Sequence, residues 1–299
     1  MAGRKVLRME ESGRLPFSER LIVSAAEGLT ILEPGSGRIM GSMRLDGACA
    51  VCCGRRAVYC AADDGAIWRI DSDHLSPTAI FSGGPGITSL CVDAREERLY
   101  ALCADADSLL MCCAQSGQPL LLNRAGLNPQ SMIHARAEGL IVVAGGEDEH
   151  VLVFCDKTLQ LADMLPVKGI ACAASLRGNM IYALSMEDAQ SCLLTAAERG
   201  GKIRRIRLPG LPGMLQAEEG GVIAAAGNRL YAIDPEGSAV TKDMRMPART
   251  GKMISFSGRE GSAVILDRAA QNLYMRTGAL RWSLVMTGVR DMARSFRKA

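Results

Sequence analysis

The stretch "REERLYALCADADSLLMCCAQSGQPLLL", Arg95 to Leu122, reads as a strand, an acidic loop, a second strand, a glycine turn and a third strand. Whether that pattern occurs once or many times decides the fold, because a small β unit that cannot bury its own apolar face must stack on copies of itself. The pattern recurs. The segments "RLIVSAAEG", "AVYCAADDG", "RLYALCADAD", "GLIVVAGGEDE", "MIYALSMED", "GVIAAAGNR" and "SAVILDRAA" superpose with their first apolar positions at Leu21, Val58, Leu99, Leu140, Ile181, Val222 and Ala263. The first interval is 37 residues and the next five are 41 each. Gly169, Gly210 and Gly251 keep the same step, each opening the stretch before its copy.

Inside each unit the pattern is β throughout. A short apolar run ("ITSLCV", "GIACAAS", "KMISFS") precedes the run just quoted, and a third with partial alternation follows, as in "LYAID" or "VLVFC". A turn rich in Gly, Pro, Asp or Ser comes next ("DPEGSA", "EPGSGR", "AQSGQ", "AERGGK"), then a more polar fourth strand such as "VTKDMRM" or "KIRRIRL". Four strands per unit of about 40 residues is the arithmetic of a β-propeller blade. Seven copies predict an all-β, seven-bladed β-propeller, four antiparallel strands per blade, as a single domain over residues 1–299. The last copy continues into "TGVRDMARSFRKA", in which "GVRDMARS" lines up with "GITSLCVD" from Gly86 to Asp93, while "GRLPFSER" before Leu21 is a poor strand. The C-terminal segment is therefore expected to supply the inner strand of the first blade and close the ring, removing an open sheet edge. The competing reading is a short basic amphipathic helix with Val289, Met292 and Phe296 on one face.

Composition narrows the function. A chain of 299 residues with 48% hydrophobic residues buries a sizeable core, and a net charge of +3 is too close to balance for a general polyanion binder, so no nucleic acid is expected. Aromatic residues are only 4%, which makes the core aliphatic and leaves few rings for stacking on bases or sugars. No apolar run approaches a membrane span, and the start "MAGRKVLRMEESGR" has no apolar run behind its basic residues; no membrane association and a cytoplasmic location are the expectation. Eleven cysteines then read as reduced small hydrophobes rather than a disulfide framework.

The phrases "RLYALCADADSLLMC", "MIYALSMEDAQSCLL" and "NRLYAIDPEGSAV" resemble the YVTN or YncE-like seven-bladed propeller repeats. The resemblance covers nearly the whole chain but consists of structural positions. It implies a fold whose relatives include lactonases, quinoprotein-like dehydrogenase subunits and many binding proteins, so it leaves activity open. The neighbouring pairs Cys52–Cys53 and Cys112–Cys113 invite comparison with the adjacent-cysteine disulfides of quinoprotein dehydrogenases. Both pairs fall in expected strands, where successive side chains point to opposite faces, and the repeated tryptophans of that family are lacking, since the chain has only Trp68 and Trp282.

In a propeller the loops between second and third strands lie on the same face as the connectors between blades. The loops carry an acidic ring that includes Asp63, Asp64, Asp105, Asp107, Glu147, Asp148, Glu149, Glu187 and Asp188, with Asp267 in "LDRAA". The connectors hold Arg44, Arg124, Lys168 and Arg249, an inner basic rim. Such a field could orient a charged partner; equally, polar turns guard sheet edges whatever the function. Both readings stay open at this stage. His74, His134 and His150 fall in different loops or blades, so no metal is expected, and no other cofactor has a signature. Polar groups near the channel reduce to His134, Arg136 and Gln216. No phosphate loop, nucleophile elbow or zinc-protease motif is present, and "SGGPG", Ser82 to Gly86, reads as a blade connector. The expectation is a non-enzymatic scaffold presenting its loop face to a protein partner, with small-molecule binding at the channel mouth second and a lactonase or other hydrolase third.

Overall fold

A computed structural model describes residues 20–34, 36–71, 76–82, 86–218, 221–255, 263–277 and 281–295. His74 and Phe296, and most of the "SGGPG" segment, lie outside the described residues. Seven four-stranded antiparallel sheets are arranged in a ring. From the inner strand outward they are blade one (Val289–Ser295, Arg20–Ala25, Gly28–Leu32, Ile39–Arg44), blade two (Ala48–Cys53, Ala57–Ala62, Ile67–Asp71, Pro77–Phe81) and blade three (Ile87–Val92, Arg98–Cys103, Ser108–Cys113, Pro119–Arg124). Blade four is Ser131–Ala135, Leu140–Ala144, His150–Cys155 and Leu161–Pro166, and blade five is Ile170–Arg177, Met180–Met186, Ser191–Glu198 and Ile203–Pro209. Blade six is Pro212–Glu218, Gly221–Ala226, Arg229–Ile233 and Val240–Arg245, and blade seven is Lys252–Ser255, Ala263–Asp267, Asn272–Thr277 and Arg281–Thr287. The inner strands touch in sequence around the ring, and the last touches the first.

Burial follows the repeat. The second strands are buried on both faces, as in Ala57–Ala62 and Leu140–Ala144, which is why these runs are continuously apolar rather than alternating. Their side chains enter clusters shared by neighbouring blades: Ala50, Tyr59 and Ile67 of blade two pack with Leu90, Leu99 and Leu110 of blade three. Each fully buried Leu or Ile contributes about 2 kcal/mol by leaving water. The outer strands are exposed, and Ile203–Pro209 carries three arginines there, which blunts a free edge.

The ring closes through the C-terminal strand. Val289–Ser295 pairs antiparallel with Arg20–Ala25, from Arg20 opposite Ser295 to Ala25 opposite Val289, so this segment is a strand and not a helix. Met292 and Val289 then enter the core with Leu21, Val23 and Leu273, which a helix lying on the outside would leave in water. Helix among the described residues is one turn, Ala104–Ala106. All eleven cysteines are free thiols.

Candidate functional site

Main-chain bonds place the connectors and the second-to-third-strand loops on one face. Leu45 N–H donates to the Glu27 carbonyl, Asp63 N–H to Gly47, Ala125 N–H to Asp107, Val167 N–H to Glu149, and Val289 N–H to Gln271. On this face the inner strands of blades one, two, three and five share an irregularity that period-two reading cannot show. In blade one, Ser24 pairs with Asp291 and Ala25 with Val289, so Arg290 is an extra residue. Cys49 is skipped in the same way in blade two, Thr88 in blade three and Cys172 in blade five. A β-bulge turns its extra side chain out of the regular alternation. Arg290, Cys49 and Thr88 are thereby aimed at a common cavity of about 470 Å³, lined also by Asp63, Gly86, Ile87, Asp105, Arg268 and Asp291.

Asp291 forms one wall of the cavity and is nearly sealed off, its side chain 7% exposed. Its Oδ1 lies 2.8 Å from Lys252 Nζ and 3.3 Å from Arg268 Nη2, and its Oδ2 accepts the Val51 N–H at 3.0 Å. One carboxylate thus ties blades seven, one and two together at the point of closure. Burial pushes the Asp291 carboxyl up, but Lys252 and Arg268 pull harder, and the net position is below the ordinary carboxylate value. Beside it Arg290 Nη1 pairs with Asp63 Oδ2 at 2.6 Å. The Cys49 thiol is pushed up to about 11 by burial, with Asp63 adding to the effect, so it stays protonated at neutral pH.

A second repeated device sets the charges. In blades two to seven the glycine ahead of the inner strand lies against its own blade's loop: Gly47 against Asp63, Gly86 against Asp105, Gly126 against Asp148, Gly169 against the Met186 carbonyl, Gly210 against Gly227 and Gly251 against Arg268. Gly86 has φ 77°, and a Cβ there would sit 2.5 Å from the Asp105 carboxyl, so a side chain is excluded twice over. At this position blades two to four hold an acid, blade five a main-chain carbonyl, blade six no side chain, and blade seven an arginine.

The remaining residues singled out in the sequence are distributed differently. Asp107 accepts the Asn128 N–H at 2.7 Å, Asp148 the Leu127 N–H at 2.6 Å, and Asp64 the Ala66 N–H at 3.0 Å. Asp188 accepts from the Gln190 and Ser191 N–H groups and from Ser191 Oγ, each at 2.7 Å, and Asp267 caps Ala269 and Ala270. Asp64, Asp188 and Asp267 shape their own loops, while Asp107 and Asp148 pin the connector between blades three and four. Glu147 Oε1 lies 3.5 Å from Asn128 Nδ2, and Glu149 has φ 53° in the turn that receives Val167. Glu187 sits between Lys168 at 2.9 Å and Arg207 at 2.7 Å. Arg44 pairs with Asp46 at 3.1 Å, Arg249 donates to the Pro212 carbonyl at 2.8 Å, and Arg124 ends the exposed outer strand of blade three.

Two of the three expected channel residues turn elsewhere. His134 is 4% exposed, its Nε2 3.2 Å from Asp156 Oδ2 and its ring 5.4 Å from that of Tyr100, so it lies between blades three and four. It is a regular member of the strand ladder, opposite Ile141, and alternation sends it between the blades. Arg136 donates to the Val92 carbonyl at 3.0 Å, bridging two first-to-second-strand turns on the opposite face. Gln216 is exposed on the inner strand of blade six. Arg268, Arg290 and Asp291, which line the cavity, and Lys252, which pairs with Asp291, were not among the sequence candidates. Their signal was the pair Arg290–Asp291 inside an inner strand, where "ACAVCC", "ITSLCV" and "IACAAS" carry no charge. Among the described residues no three His, Cys, Asp or Glu side chains come together as a cation's ligands, and no helix is long and apolar enough to cross a membrane.

Fold and site together define a seven-bladed β-propeller with a charged pocket where its channel opens. No protein-family model and no curated protein matches the sequence. Solved structures match over nearly the full length. A functionally unknown protein from Desulfotomaculum acetoxidans DSM 771 superposes with a TM-score of 0.74 at 11% identity, covering 94% of this chain and 100% of that one. A protein described as a "putative 6-phosphogluconolactonase" from Bacteroides uniformis ATCC 8492 gives 0.71 at 8% identity, with 93% and 99% covered. A chain from a nidogen/laminin complex gives 0.57 at 10% identity, with 94% and 100% covered. A shared propeller across such different proteins shows the fold and leaves the activity to the site.

Proposed function

We propose that this propeller binds a small charged molecule, without transforming it, in the pocket at its channel mouth. The observation that carries this reading is the set of bulges in the inner strands of blades one, two and three, which aims Arg290, Cys49 and Thr88 into one cavity beside the clamped carboxylate of Asp291. A volume of about 470 Å³ lies in the range of small-molecule sites. Binding without chemistry is favoured by the groups themselves: the Cys49 thiol is held protonated, Asp291 is held as an anion by two cations and a main-chain N–H, and His134 lies between blades rather than in the pocket. A lactonase reading would draw on the likeness to the Bacteroides uniformis protein, which at 8% identity speaks for fold alone. The loop-face partner reading has less support, because Asp107 and Asp148 are engaged by the connector between blades three and four, Asp188 by its own loop, and Asp63 and Glu187 by cations. Thermal-shift screening against charged metabolites tests the proposal: hits should lose their effect in Arg268→Ala and Arg290→Ala while persisting in Arg44→Ala. Hits indifferent to both pocket substitutions would overturn it.

A further inference from the structure

Resting on that reading, we infer that the pocket takes a zwitterion whose acid and ammonium groups stand at opposite ends of a short chain. Among the described residues the cavity is lined by two cations, Arg268 and Arg290, and three carboxylates, Asp63, Asp105 and Asp291, and a third cation, Lys252, lies outside the lining but pairs with Asp291. They balance in sum but not in place. On the side of blades seven and one, Asp291 faces both Lys252 and Arg268, leaving one positive charge in excess. In the middle, Arg290 and Asp63 neutralise each other across blades one and two. On the side of blade three, Asp105 is exposed, and among the described residues its carboxylate meets no cation. The pocket is a dipole, positive at blade seven and negative at blade three, with a neutral pair between.

The origin of that dipole is the loop position that lies against each connector glycine. Blades two to four put an acid there, and blade seven puts Arg268, whose side chain is 44% exposed and has guanidinium donors to spare beyond its bond to Asp291. Guanidinium is suited to a carboxylate because two parallel N–H groups meet its two oxygens. Asp105 is suited to an ammonium because it only accepts. A simple anion satisfies the Arg268 end and meets the field of Asp105 at the other; a simple amine has the converse problem. A molecule with both charges on one carbon reaches one end only, since the Arg290–Asp63 pair stands between.

Isothermal titration with 6-aminohexanoate, glycine, hexanoate and hexylamine decides the matter. 6-Aminohexanoate should bind at least about tenfold more tightly than each of the other three, as two charge-assisted contacts exceed one. Arg268→Ala and Asp105→Asn should each remove that advantage, and Asp64→Asn, in the same face but outside the cavity lining, should leave it intact. If hexanoate binds as tightly as 6-aminohexanoate and Asp105→Asn changes nothing, the zwitterion is overturned while a charged-ligand pocket stands. If none of the four probes gives heat in the wild-type protein, the zwitterion is likewise overturned, and the pocket itself is then judged by the metabolite screen.

Discussion

Asp291 and Glu187 look alike on paper: each is one acid between one lysine and one arginine. Asp291 holds Lys252 and Arg268 at 2.8 and 3.3 Å, Glu187 holds Lys168 and Arg207 at 2.9 and 2.7 Å, and the two acids are comparably shielded, at 7% and 10%. The difference lies in what surrounds them. Lys168 and Arg207 are 67% and 66% exposed, so water already stabilises both charges and the triad adds little to it. Around Asp291 the cations are half-covered and the second carboxylate oxygen is taken by a main-chain N–H of the next blade. The same three charges thus make a rim ornament in blade five and a fastening between blades seven, one and two.

The largest effect expected from this contrast is on stability. Asp291→Asn keeps an acceptor for Val51 but removes the charge that Lys252 and Arg268 share, and breaking a buried pair from one side costs about 3 kcal/mol. Over the unfolding entropy of a 299-residue domain, about 2.1 cal/mol/K per residue, that is a fall of about 5 °C in melting temperature. Calorimetry measures it. A melting temperature unchanged within a degree or so would mean that closure depends on the strand pairing alone.

A smaller effect appears in acid. Asp291 sits below the ordinary carboxylate value when folded, so its contribution is fully present above the unfolded value, near about pH 4, and is lost as pH falls through the lower, folded value. Glu187 is also held low, by hydrogen bonds from Lys168 and then Arg207, and carries the same sign. Denaturant midpoints followed from about pH 7 to about pH 3 should therefore fall less steeply in Asp291→Asn than in the wild type, with Glu187→Gln closer to the wild type. The reverse order would break the comparison.

Legibility in the sequence divides along the same line. The blades were readable because the apolar second strand is written seven times, from Leu21 to Ala263, and repetition makes a weak local signal strong. Closure was readable too, since "GVRDMARS" copies "GITSLCVD". The pocket was not, for two physical reasons. A bulge is one residue out of register, and nothing in "GACAV" or "GITSL" says that Cys49 and Thr88 leave the alternation. In "LDRAA" the acid draws the eye, yet Asp267 is buried as a cap and its neighbour Arg268 faces the mouth. His134 misled in the opposite direction: a polar residue on an inner strand whose regular alternation puts it between blades.

The smallest expected effect is the sharpest probe of the comparison. Glu187→Gln removes the charge but keeps an oxygen that accepts from Lys168 or Arg207, and both cations remain hydrated. At about 0.15 M salt the screening length is about 8 Å, so the melting temperature should be indistinguishable from the wild type. At about 0.01 M it is about 30 Å, and the repulsion newly unopposed between Lys168 and Arg207 should lower the melting temperature by a small, reproducible amount. Asp291→Asn should show the contrary behaviour, a large loss that changes less with salt, because the carboxylate is 7% exposed and its contact with Lys252 is screened less than one between exposed charges. If Glu187→Gln proves as damaging as Asp291→Asn at both salt concentrations, exposure of the cations is not what separates the two triads, and the blade-five cluster must be counted a structural fastening as well.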